Sequence, residues 1–122
     1  LGIERTIRAG AAGSFSWPRL VGELAIRDEQ PVLRMIDGLP AFPDEVPADD
    51  WQELRLSLTG GMITIRRTGA DFRCVTWGTS DDGLRHSWDK LCLALATVVA
   101  GEIVENGVAQ PPAEFAKRVG LT

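Results

Sequence analysis

The sequence predicts an α+β domain: a three-stranded antiparallel meander packed against one long C-terminal amphipathic helix, with N-terminal helices before it. Three observations carry that expectation. Trp51 to Thr59 alternates strictly between apolar and polar residues, two hairpin signals stand back to back between Trp51 and Gly78, and a helical stripe follows Gly83.

In the first strand Leu54, Leu56 and Leu58 point one way and Glu53, Arg55 and Ser57 the other. Gly60-Gly61 supplies the positive φ of a two-residue turn, so Leu58 is expected opposite Ile63 and Leu56 opposite Ile65. The third strand, Phe72 to Trp77, follows Thr68-Gly69-Ala70-Asp71. A two-residue Gly-Ala turn or a four-residue loop there sets Arg67 opposite Phe72.

Carried across the meander, this register gathers Leu54, Leu56, Leu58, Ile63, Ile65, Phe72, Cys74 and Thr76 on a core face. On the other face Arg55, Arg66 and Arg73 fall in one lateral row. Like charges directly across strands are destabilising, so the row needs an offset. Beside it come Ser57, Thr64 and Val75, then Thr59, Met62 and Trp77, and the face grades from cationic to apolar.

After Trp77, Gly78 to Gly83 reads as a turn with helix N-cap candidates. Leu84, Trp88, Leu91, Leu95 and Val98 then recur at helical spacing, and this helix is expected to cover the leucine face. Gly101 is a candidate C-cap, with Asn106-Gly107 the safer stop. Pro111-Pro112 opens a short helix in which Phe115 and Val119 share a side, closed by Gly120.

Upstream, Ser16-Trp17-Pro18 resembles a helix start, and Pro31 to Asp37, capped by Gly38, is read as a second helix. The alternative is an N-terminal hairpin closed around Asp28 to Pro31 that extends the sheet. Ile3 to Arg8 fits a strand or a frayed helix. Pro40, Pro43 and Pro47 make Leu39 to Asp50 an extended connection, with Phe42 expected to tuck in as its anchor.

The 122 residues suffice for one domain, residues 1–122, with its own core. A net charge of −4 argues against nucleic-acid binding, which needs a basic footprint. No apolar run approaches the roughly 20 residues that span a bilayer, so no membrane partner and a cytoplasmic location are expected. Arginine outnumbers lysine 11 to 2, a bias that GC-rich, bacterial-like coding also produces. Position therefore matters more than number.

Catalytic signatures are absent: there is no G-x-S-x-G, P-loop, dinucleotide fingerprint or H-E-x-x-H. His86, the one histidine, has Asp82 and Asp89 at helical spacing, which is common on solvated helix surfaces and falls short of a zinc ligand set. Cys74 and Cys92 are expected as buried reduced thiols. No cofactor or metal is implied.

The arginine row is the distinctive feature. Its plain reading is a surface neutralised from within, by Glu53, Asp71 and the acidic stretch Asp44 to Asp50 folding across it. Its functional reading is a docking face for an acidic protein partner, built on Arg55, Arg66, Arg73, Met62 and Trp77, in an adaptor, chaperone-like or inhibitory module. The alternative is a small anionic-ligand binder or enzyme using the same arginines. A bare meander has two free edges, so a homodimer through an edge strand or helix face is also expected.

Overall fold

A computed structural model describes residues 2–77 and 81–121. Among these residues the chain forms one eight-stranded antiparallel sheet with three helices, and this corrects the expected three-stranded meander with its single long helix and N-terminal helices. The elements are β1 (Gly2–Arg8), α1 (Trp17–Ile26), β2 (Val32–Ile36), β3 (Leu39–Pro40), β4 (Glu53–Leu58), β5 (Gly61–Thr68), β6 (Asp71–Trp77), α2 (Asp82–Val98), β7 (Glu102–Glu105), β8 (Val108–Gln110) and α3 (Pro112–Val119). Strand order is β3-β2-β4-β5-β6-β1-β7-β8.

The meander exists as β4-β5-β6, but both of its edges are taken. β1 pairs along β6 from Gly2 opposite Trp77 to Ile7 opposite Phe72, and β2 pairs along β4. The expected dimer through a free meander edge therefore loses its basis. The outer strands of the whole sheet, β3 and β8, have only two and three residues. Such short edges offer little backbone to a neighbouring strand.

Two hairpins account for most of the correction. Asp37 and Gly38 both have positive φ, 51° and 82°, and so do Asn106 and Gly107, 52° and 78°. Consecutive left-handed residues make the two-residue turn that matches strand twist. Each pair therefore folds a strand back rather than ending a helix. The segment read as a second N-terminal helix is β2, and the chain after Gly101 is the β7-β8 hairpin. The hairpin proposed around Asp28 to Pro31 does not form, because Trp17 to Ile26 is helix, with the Ser16 hydroxyl accepting from the Arg19 amide at its N-cap.

α2 and α3 form where their periodicity places them. Asp81 caps α2, its carboxylate accepting from the Leu84 amide at 2.8 Å; of the expected turn, Gly78 to Ser80 lies outside the described residues. Leu54, Leu56, Ile63, Ile65 and Cys74 pack beneath Trp88, Leu91 and Leu95, all essentially inaccessible to solvent. Cys74 and Cys92 are both free and buried. Contact with the Cys92 thiol, then burial, push the Cys74 thiol well above its ordinary range, so it is a poor nucleophile.

Two polar clusters lie inside this layer. Arg5, only 4% exposed, donates to Asp89 on α2 at 2.5 Å and to Glu105 on β7 at 2.8 Å, with its guanidinium 3.9 Å from the Trp88 ring centroid. Glu105 also accepts from Arg118 at 2.9 Å. At the other end Glu29, 1% exposed, accepts from the Thr59 amide and the Ser87 hydroxyl, both at 2.9 Å, with Lys90 at 3.5 Å. That carboxylate ties the end of α1, the β4-β5 turn and α2 together.

Burial pushes both carboxyls up, but the hydrogen bonds to Thr59 and Ser87 hold Glu29, and the guanidiniums of Arg5 and Arg118 hold Glu105, below the ordinary value of 4.5. A carboxyl that titrates lower in the folded state adds stability above its unfolded pKa and loses it as pH falls through the folded one. Urea midpoints should therefore be flat from pH 7 to about 5 and fall below that. Glu29→Gln should make the acid limb shallower, and an unchanged slope would contradict the assignment.

Candidate functional site

Among the described residues all three helices lie on one side of the sheet, and the other side is uncovered. Every sequence-predicted site residue, Arg55, Met62, Arg66, Arg73 and Trp77, faces that side. Arg66 stands directly opposite Arg73, as the second turn requires.

Arg55 does not complete the row. Leu58 pairs with Gly61 and Leu56 with Ile63, so the first turn is centred on Thr59-Gly60, not Gly60-Gly61. The reason lies on the helix side, where the Thr59 amide binds Glu29 and the Gly60 amide binds the Ser87 hydroxyl at 2.9 Å. These buried acceptors pull the turn forward. A Cβ on Gly60 would lie 2.2 Å from the Gly83 carbonyl oxygen, so only glycine fits there. Each pairing moves by an even number of positions, which preserves facing and shifts only the lateral neighbours. Arg55 now stands opposite Thr64, and Glu53 opposite Arg66.

That shift supplies part of the missing offset. Arg66 Nε donates to Glu53 Oε2 at 2.9 Å, and Arg73 lies 3.5 Å from Glu4 of β1. Asp71 forms no ion pair among the described residues, and neither do Asp44, Glu45, Asp49 and Asp50; the acidic stretch does not fold across the face. Phe42, expected to anchor that stretch, is 75% exposed. Trp51 and Pro47 are buried in its place.

The apolar end of the face has its own order. Trp77 Nε1 donates to Thr64 Oγ1 at 3.2 Å, and the Arg66 guanidinium lies 5.2 Å from the Trp77 ring centroid. Thr64 and Val75 are consequently buried although no helix covers them, while Trp77 and Met62 remain 45% and 40% exposed.

Between Met62 and the β2 side lies a group the sequence reading missed. Arg34 Nε donates to Ser57 Oγ at 2.8 Å, the Ser57 hydroxyl donates to Met62 Sδ at 3.0 Å, and Arg55 approaches Met35 Sδ at 3.9 Å. Neither Arg34 nor Arg55 has a carboxylate partner among the described residues, and Arg55 Nε is a buried donor without an acceptor. Arg34 and Met35 were hidden because β2 was read as helix; the Asp37-Gly38 turn was the signal that would have found them.

His86 is exposed on α2, and the Asp89 carboxylate is committed to Arg5. No group of three or more side chains suited to a metal occurs among the described residues, and no helix there is long and apolar enough to cross a membrane. No protein-family model, curated protein or solved structure matches the chain.

Proposed function

We propose that this domain is a non-catalytic protein-interaction module whose uncovered sheet face binds an acidic protein segment. Arg55 carries the proposal. It is a partly buried guanidinium with an orphaned Nε, 3.9 Å from Met35 Sδ and on the face that carries Arg34, Ser57 and Met62, in a protein of net charge −4. A carboxylate from a partner would supply the counter-charge that Arg55 lacks on this face, and guanidinium forks bind carboxylates in two-point geometry. Met62 and Trp77 add apolar contact beside it. Arg66 and Arg73 contribute less, because each already has an internal acid.

The alternative, a small anion held by the same arginines, has less support. Among the described residues, the best-formed clefts are not lined by Arg55, Arg66 or Arg73, and only one of them is bordered by Arg34 and Ser57. A face that forms no cleft around these arginines suits a protein better than a small molecule.

Affinity capture from source lysate tests the proposal. The wild type and Arg85→Glu, a charge reversal on the exposed face of α2, should retain the same acidic companion. Arg55→Glu should weaken it at least ~10-fold, about 1.4 kcal/mol. Equal retention by Arg55→Glu and wild type would refute the assigned face.

A further inference from the structure

We infer that a cleft beside the β5-β6 turn, on the helix side of the sheet, is a binding site for a small dipolar ligand: an α-amino acid with an apolar side chain. The site is separate from the docking face, because Arg67 follows Ile63 and Ile65 on the core side of β5. The cleft holds about 710 Å³ and is lined by Ala9, Phe15, Asp49, Arg67, Phe72 and Val99, among others. Small-molecule sites commonly occupy roughly 300–1,000 Å³.

The charges in it are incomplete. Arg67 occupies a position where alternation calls for a core residue, and its guanidinium lies 4.3 Å from the Trp51 ring centroid and 5.8 Å from those of Phe15 and Phe72. The rings themselves are mutually packed, with Phe15 edge-on to Trp51 at 4.9 Å. This cage holds the cation in place but provides no counter-charge. Arg67 NH1 donates to the Asp49 backbone carbonyl at 2.8 Å, Arg67 Nε is buried without an acceptor, and among the described residues no carboxylate lies within ion-pair distance. Asp49 lines the same cleft, is exposed to solvent, and has no basic partner among the described residues.

An unpaired cation and an unpaired anion on one apolar-walled cleft present opposite poles. A simple anion would satisfy Arg67 and meet repulsion from Asp49; a simple amine would do the reverse. A zwitterion satisfies both, with its side chain against Phe15, Ala11 and Ala70. Capping the end of the core explains the ring stacking but leaves both charges without a counter-charge. The glycines of the lining loop are not evidence for a ligand, because Cβ atoms on Gly10 and Gly13 would strike the Ala100 and Val99 carbonyl oxygens.

The test is an amide and indole NMR titration of the whole chain with L-phenylalanine, 3-phenylpropionate, which lacks the ammonium, and phenethylamine, which lacks the carboxylate. Phenylalanine should give saturable shifts at Ala9 to Phe15, Gly69 and the Trp51 indole, with both analogues at least ~10-fold weaker. Arg67→Gln should abolish the shifts, and Asp49→Asn should remove the preference for phenylalanine over phenylpropionate. Because Arg67→Gln also disturbs the cage, Ala11→Phe on the exposed loop serves as a second block that leaves Arg67 in place. Absence of saturable shifts, their persistence in Arg67→Gln or in Ala11→Phe, or equal binding of phenylpropionate would overturn the inference.

Discussion

Asp89→Ala is expected to lower the unfolding free energy by about 3 kcal/mol, because removing one partner from a buried ion pair strands the other. Arg5 is 4% exposed, and its 2.5 Å bond to Asp89 ties the middle of the sheet to α2. Glu105 would remain on Nε, but it is shared with Arg118 and cannot balance both cations. Replacing both partners by apolar residues should be far milder. Arg5→Met with Asp89→Leu leaves Glu105 to Arg118 and puts methylene surface against Trp88 and Phe115, which Arg5 already touches. Urea unfolding of the two variants checks this. A double variant no more stable than Asp89→Ala would mean that the ion pair supplies net stability beyond the penalty of breaking it.

Gly13→Ala should be comparably severe, at about 3 kcal/mol, and Gly22→Ala should have the opposite sign. A Cβ on Gly13 would sit 1.7 Å from the Val99 carbonyl oxygen and 2.2 Å from its carbon, so backbone must move against backbone at the end of α2. Gly22 lies on the exposed side of α1 with nothing within 4 Å of its Cβ position. Alanine there removes the helix penalty of glycine, a gain of roughly 0.5–1 kcal/mol. Thermal melts of the two variants should bracket the wild type, and a neutral Gly13→Ala would show that the loop does not pack against Val99 as described.

The parts of the fold legible in the sequence are those in which neighbours along the chain are neighbours in space. Trp51 to Trp77 announces its own alternation and turns, and Leu84 to Val98 its own helical stripe. The pairing of β1 with β6 joins residues about seventy positions apart, and its core face carries Arg5 between Ile3 and Ile7. A charge at an inward position erased the alternation that would have marked the strand. β2 and β7 failed for a different reason. Asp37-Gly38 and Asn106-Gly107 suit a helix end and a hairpin turn equally well in composition, and the choice depends on a partner strand that no short window contains.

The candidate site was legible in the same partial way. Alternation alone placed Arg55, Arg66, Arg73, Met62 and Trp77 on one side, and an even slip could not change that. Which arginines are neutralised was not legible, because the acids responsible depend on the turn position set by Glu29 and on the placement of β1. Arg67 is not legible as a site residue, because alternation predicts an apolar side chain at its inward position opposite Phe72.

The location of β1 between β6 and β7 has a consequence for biosynthesis. During translation β1 can meet its first lateral neighbour only once β6 has left the ribosome, and its second only once β7 has followed. Until then β1 lacks both of its partners while the meander can already close, and the ladder from β6 to β7 runs only through β1. Cutting away residues 2–8 would accordingly leave two disconnected ladders, not a trimmed domain.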